Sequence, residues 1–321
     1  MSGKASRTRI LVLGGTGMLG HKLNQVLSRN PDLDVHSSVR GLTAGSVSPG
    51  VRYHEGVDVL GGAHVVATLL ETVRPDVVVN AVGAIKQRNL AADVDGTFYL
   101  NGTLPHLLAL LNPVPDARVI HVSTDCVFKG DIGAYREDMA PDATDLYGRS
   151  KAVGELEYGR HLTLRTSIIG FELSGYLGLL GWFFSLPRGS VVDGYTRAIY
   201  SGLPTVTLAR VIEDMITSAA GLTGLYHVAS EPISKFDLLS RVNAAFDRGV
   251  TLVPGNAMEM DRSLDDTRFR LATGTRRPGW DELLVELQAD YATFSYDHQS
   301  GPRRGDPVAV AVPTAPTQDS T

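Results

Sequence analysis

Short apolar runs rich in Val and Ile recur through the first half of the chain, at 10–13, 35–39, 77–80 and 119–123. Their length and β-branching predict buried strands. Between them, 18–29, 62–73 and 101–111 place apolar residues at helical spacing. Strands alternating with helices predict an α/β fold, a Rossmann-type doubly wound parallel sheet. Ligands of such a sheet bind beyond the carboxyl ends of its strands, where Gly14, Arg40, Asn80 and Ser123 fall.

Past residue 165 the alternation weakens. Residues 162–165 read as one more strand, 207–219 and 234–246 as helices, and 225–229 as a strand, with Ser234 a helix N-cap. The Gly- and aromatic-rich stretch 173–202 has no clean period and predicts a substrate-side loop region. The expected organisation is a flexible N-terminus at 1–9, a dinucleotide-binding domain over 10–170 and a smaller α/β substrate domain over 171–298. Some segments of the latter should return to the first domain. A Pro-, Ala- and Thr-rich tail over 299–321 is expected to be disordered.

Composition narrows the function. A formal net charge of −5 argues against non-specific nucleic-acid binding, which needs a basic surface. Cys126 is the only cysteine, which rules out an internal disulfide and fits a reducing compartment. Neither the polar start nor the Gly-broken apolar stretch at 177–186 resembles a signal peptide or membrane span, so a cytoplasmic protein is expected. The histidines show no metal-ligand spacing, and no metal site is expected; His121, inside an apolar strand, reads as a packed core residue.

The chemistry concentrates in a few places. Gly14-Gly15-Thr16-Gly17-Met18-Leu19-Gly20 follows a strand and opens a helix, the context in which glycines and backbone N–H groups receive a pyrophosphate. Strand 35–39 ends in Arg40 with no acid beside it, which favours NADP(H) over NAD(H). Asp58, before Val59, is a candidate for the adenine edge. The small residues of Asn80-Ala81-Val82-Gly83 could let the chain pass close to the cofactor, or merely turn it.

Tyr147 and Lys151, one helical turn apart, follow the strand that ends in Ser123-Thr124. A phenol ionises near pH ~10, so an adjacent ammonium is expected to stabilise its phenolate. A Ser or Thr hydroxyl can hold the substrate oxygen opposite. That is equipment for moving a proton on or off an alcohol or ketone oxygen.

In family order the chain carries LGGTGMLG (13–20), RPDVVVNA (74–81), HVSTDCVF (121–128), LYGRSKAVGE (146–155), LRTS (164–167) and RSLD (262–265). With these stretches it resembles the extended short-chain dehydrogenase/reductases, in the branch similar to dTDP-4-dehydrorhamnose reductase. The resemblance implies a Rossmann domain followed by a nucleotide-sugar domain. In it Tyr147 is the proton donor, Lys151 its electrostatic partner and ribose ligand, and Thr124 the hydrogen bond to the carbonyl oxygen. Ser123 is the fallback for Thr124, and Asn101 takes a supporting role.

The implied activity is NADPH-dependent reduction of a nucleoside-diphosphate 4-keto-6-deoxy sugar. Alternatives are a nucleotide-sugar epimerase or isomerase with the same triad, and a cofactor-binding regulatory subunit without turnover. Arg197 and Lys86 are candidates for the diphosphate, and a homodimer is expected by analogy. Two features depart from the pattern: Cys126 stands where the reductases commonly carry an aromatic, and the run 83–88 differs. Both lie where the sugar is expected.

Overall fold

The computed structural model describes residues 7–42, 45–84, 93–294 and 296. Its first half builds strands β1 (Thr8–Leu13), β2 (Leu33–Ser38), β3 (Arg52–His54), β4 (Val77–Asn80) and β5 (Arg118–Thr124). Helices α1 (Gly20–Leu27), α2 (Ala63–Val73), α3 (Val94–Phe98), α4 (Leu104–Leu110) and α5 (Leu146–Val153) connect or follow them. Strand β6 (Leu162–Thr166) comes next, then β7 (Ile168–Ile169), α6 (Leu179–Ser185), β8 (Val191–Tyr200), β9 (Leu203–Pro204) and α7 (Thr205–Thr217). The chain continues through β10 (Gly224–His227), β11 (Ile233–Ser234), α8 (Lys235–Ala245), β12 (Thr251–Asp261), α9 (Thr267–Thr273) and α10 (Trp280–Thr293).

Seven strands form one parallel sheet in the order β3-β2-β1-β4-β5-β6-β10. The Rossmann-type doubly wound expectation therefore holds. Alternation along β1 sends Ile10 and Val12 into one apolar core and Leu11 and Leu13 into another. The first core is closed by residues of α1, α7 and α10, the second by residues of α2 and α4. A parallel sheet buried on both faces needs that continuous apolar run. Chain order reverses between β1 and β4, so a crevice opens at their carboxyl ends.

The stretch 173–202 is not the loop region expected. It holds α6 and the ten-residue strand β8, which pairs in parallel with β12 and antiparallel with β11. This second sheet is sewn to the first half: the Asp261 N–H donates to the Gly130 carbonyl (2.8 Å) and the Tyr135 N–H to the Ser263 carbonyl (2.9 Å). Strand β10 returns to the main sheet beside β6. Ser234 caps α8 by accepting from the Asp237 N–H (3.0 Å), as its sequence position predicts.

Helix α1 is tied to the far end of the chain by a buried cation. Lys22 has no solvent exposure, and its Nζ lies 2.6 Å from Asp290 Oδ1 and 4.7 and 5.0 Å from the ring centroids of Phe294 and Tyr296. The Tyr296 hydroxyl donates to the second oxygen of Asp290 (2.9 Å). Burial pulls the Lys22 pKa down, and Asp290 opposes that shift. Among the described residues no helix is long and apolar enough to cross a membrane.

Candidate active site

The turn after β1 lies in the crevice. Gly14 has φ +86°, and a Cβ there would sit 2.7 Å from Val82 Cγ2 at the end of β4. A Cβ on Gly20 would collide with the Gly14 carbonyl, so α1 starts in backbone contact with the turn. The Gly15 N–H donates to the Ser38 carbonyl (3.0 Å) and the Gly17 N–H to the Gly14 carbonyl (2.9 Å). The N–H groups of Thr16, Met18 and Leu19 meet no acceptor among the described residues. Orphan donors at a helix N-terminus suit a pyrophosphate.

The flanking residues extend that cradle. Arg40 is exposed just past the end of β2 and pairs with no carboxylate among the described residues. Asp58 caps the turn Val59–Gly61 by accepting from the Leu60 N–H (3.1 Å), with Val59 buried beneath. The Val57 N–H donates to the Val39 carbonyl (3.1 Å), which brings this turn beside the end of β2. Asn80 is fully buried; its Oδ1 accepts from the Val82 N–H (3.1 Å), shaping the bend that carries Ala81 and Val82 past Gly14. These residues fit a dinucleotide.

Helix α5 carries Tyr147 and Lys151. Asp145 caps it by accepting from the Gly148 N–H (2.9 Å), which places Tyr147 in its first turn and Lys151 one turn on. The half-buried Tyr147 hydrogen-bonds Thr124, the last residue of β5. Thr124 Oγ1 also accepts from the Cys126 N–H (3.1 Å) and donates to Asp125 Oδ1 (3.1 Å). Lys151 is buried, with Nζ donating to the Val122 carbonyl (2.7 Å).

Burial pulls the Lys151 pKa to about 8, while the Glu155 carboxylate raises it. The phenol moves opposite to the sequence expectation. Burial, the largest cause, raises the Tyr147 pKa; Cys126, Asp125 and Asp145 add to this, and the Thr124 bond opposes it. Tyr147 therefore stays protonated at neutral pH.

Asn101 joins the site through an irregular turn. Residues Tyr99–Thr103 form a π-helical turn between α3 and α4, a form often found at functional positions. Asn101 Oδ1 accepts from the Ala84 N–H (2.9 Å), and its Nδ2 donates to Ser150 Oγ (3.0 Å) on α5. A Cβ on Gly83 would lie 3.8 Å from Lys151 Nζ. The ends of β4 and β5, the π-turn and α5 thus converge around Lys151.

Ser123 lies elsewhere. Successive strand residues face opposite sides of the sheet. Its hydroxyl donates to Glu155 Oε1 (2.7 Å), and Glu155 is held by both Arg165 Nε and Nη2 at 2.7 Å in a buried ion pair. That hydroxyl is committed to this pair, not to a substrate oxygen. Arg197 is exposed and paired with Glu259 (2.8 Å). Lys86 lies outside the described residues. Cys126 stands beside the hydroxyl pair, 3.5 Å from Arg262 Nη1. Lys235 faces Asp125 and Cys126 from the start of α8. Neither Lys235 nor Arg262 was singled out from the sequence; the motif at 262–265 was the one available signal.

Fold and site together define an oxidoreductase of the extended short-chain dehydrogenase/reductase class. The family model described as RmlD substrate binding domain matches residues 8–284, and the chain belongs to that family. It is 27% identical over 312 residues to the dTDP-4-dehydrorhamnose reductase of Aggregatibacter actinomycetemcomitans, covering 88% of this chain and 98% of that one. Among solved structures, the Bacillus anthracis dTDP-4-dehydrorhamnose reductase in complex with NADP matches with TM-score 0.72 at 19% identity, over 89% of this chain and all of that one. The Bordetella bronchiseptica enzyme WbmG in complex with NAD and UDP matches with TM-score 0.71 at 17% identity, over 90% and 96%. At these identities the two structures speak for the fold alone.

Proposed function

We propose that the protein is an NADPH-dependent reductase of a keto sugar carried on a nucleoside diphosphate, and by likeness to the dTDP-4-dehydrorhamnose reductases, of a 4-keto-6-deoxy sugar. The observation that carries this reading is the hydrogen-bonded pair of Thr124 and Tyr147 hydroxyls at the carboxyl end of β5, with buried Lys151 on the same helix as Tyr147. A nicotinamide dinucleotide bound along 14–19, Arg40, Asp58 and 80–82 supplies the hydride. Arg40, with no acid beside it, favours the 2′-phosphate of NADP(H).

With substrate bound, Thr124 turns its hydroxyl proton from Asp125 Oδ1 to the ketone oxygen and fixes that oxygen's position. As charge develops on that oxygen, Tyr147 delivers the phenolic proton; its raised pKa keeps the proton in place until then. The Lys151 ammonium offsets the phenolate left behind, and with a pKa of about 8 it is mostly charged at neutral pH.

The test is mass spectrometry of nucleotide-sugar mixtures incubated with the protein, with and without NADPH. A product heavier by two hydrogens only when NADPH is present is the expected result. An isomer of unchanged mass formed without added cofactor would replace this reading with an epimerase. Tyr147→Phe is expected to lower turnover by about 10²–10⁴-fold, the usual share of general acid catalysis, with NADPH binding retained.

A further inference from the structure

The ion pair of Glu155 and Arg165 is withdrawn from water on both sides and takes no part in the proton transfer. A buried ion pair adds little stability over apolar side chains of similar volume, so where it stands is the informative fact. Ser123, Arg165 and His227 are register partners on β5, β6 and β10, one row across the carboxyl ends of these strands. Glu155, just beyond α5, closes onto that row. Its Oε1 accepts from Ser123 Oγ (2.7 Å) and Arg165 Nε (2.7 Å), and its Oε2 from Arg165 Nη2 (2.7 Å).

Arg165 is held on its other sides too. Its Nη1 donates to His227 Nε2 (3.4 Å), and its guanidinium carbon lies 5.1 Å from the Phe128 ring centroid. With His227 Nδ1 donating to the Tyr135 carbonyl (3.0 Å), Nε2 is left as the acceptor. Burial and the Arg165 charge keep that imidazole neutral. The guanidinium therefore has one geometry open to it, and so does the carboxylate it grips.

This row meets Lys151 at one peptide unit. The Val122 carbonyl, which accepts from Lys151 Nζ (2.7 Å), shares its peptide with the Ser123 nitrogen. Val122 lies one residue past the end of the β4 ladder, so β4 no longer steadies β5 there. The Ser123–Glu155 bond instead ties this peptide to the chain leaving α5, four residues after Lys151. Glu155 also acts on the ammonium through its charge, opposing the effect of burial. His121 on β5, driven neutral by burial and the Lys151 charge, adds no opposing cation.

We propose that Ser123, Glu155 and Arg165 are positioning residues of the reductase site: they clamp the Val122–Ser123 peptide to the end of α5 and so hold the Lys151 ammonium ready for the Tyr147 phenolate. This rests on the reductase reading above.

The test uses the full-length protein and two variants. Ser123→Ala removes the clamp on β5 and keeps the ion pair. Glu155→Gln combined with Arg165→Met removes the carboxylate without stranding a buried guanidinium, which Glu155→Gln alone would do. Arg160→Ala, at an exposed pair with Asp116, is the control. Acylation of Lys151 by acetic anhydride, followed by peptide mass spectrometry across pH 6–11, reads the ammonium without any turnover. Its wild-type midpoint is expected near pH 8. The double variant is expected to lower that midpoint, and Ser123→Ala to speed acylation several-fold at fixed pH by freeing Nζ from the Val122 carbonyl.

Turnover is expected to fall about ten- to a hundredfold in both variants, in kcat and not in KM, the cost of a misplaced catalytic group. The double variant is expected to match or exceed the wild-type melting temperature, since apolar packing replaces the ion pair. Wild-type acylation in both variants would overturn the inference even if the protein reduces a nucleotide sugar. So would wild-type kcat in the double variant, because the pair would then serve the fold alone. Altered acylation of Lys151 in both variants, with the control unchanged, would support it even if no nucleotide sugar is reduced.

Discussion

Lys151 gives up its proton more easily than an exposed lysine, at about pH 8 against an ordinary 10.5. The titratable groups acting with it are Glu155, two residues past the end of its helix, and His121 on β5, whose own pKa is driven well down by burial and by the Lys151 charge. If the ammonium is required, turnover falls as pH rises through about 8, and Glu155→Gln moves that limb to lower pH. Stability runs the other way. A folded pKa below the unfolded one means the unfolded chain binds more protons between about 8 and 10.5. The contribution of this group to stability is therefore complete above 10.5 and lost as pH falls through 8. Rate profiles and denaturant titrations over pH 7–10 should thus slope in opposite directions. The Tyr147/Lys151 pair and the glycine turn were legible in sequence because each is a local spacing. Arg262 was not, because it meets Cys126 across 136 residues.

Among the elements, the parallel strands were legible since burial on both faces leaves an unbroken apolar run. Strands β8 and β12 carry no such run. They are partly exposed along most of their length, so their sequence reads as polar and irregular. Strand β3 is three residues at a sheet edge, too short to show a period. The π-turn at Tyr99–Thr103 was read as part of a regular helix, since one extra residue per turn leaves no mark in composition. It has a visible tertiary partner: a Cβ on Gly154 would collide with the Asn101 carbonyl. Gly154→Ala must displace the turn and, with it, the Asn101 contacts to Ala84 and Ser150. We expect a loss of about 1–3 kcal/mol in denaturant unfolding, the cost of overpacking, together with reduced turnover. An unchanged rate would mean that the Asn101 position does not matter to the site.

Across the whole molecule, the two halves of the chain are not independent. Strand β10 completes the sheet begun by β1, and Lys22 on α1 finds its counter-charge, among the described residues, at Asp290 on α10. Lys22→Met leaves that carboxylate buried with its Tyr296 bond alone, and is expected to cost about 3–5 kcal/mol. Adding Asp290→Asn removes the stranded charge and should recover part of the loss, a non-additivity readable in a double-mutant cycle by denaturant unfolding. Nothing in the sequence near Lys22 marked it as buried, because its aromatic and acidic neighbours arrive from the far terminus.

Synthesis gives that ion pair a further meaning. Helix α1 is synthesised long before α10, so a nascent chain stalled near residue 250 holds Lys22 without Asp290 and α1 without the covering that α10 gives it. Larger chains often fold domain by domain as they emerge. This one is expected to stay protease-sensitive at α1 until α10 has emerged, which pulse proteolysis of stalled chains would show.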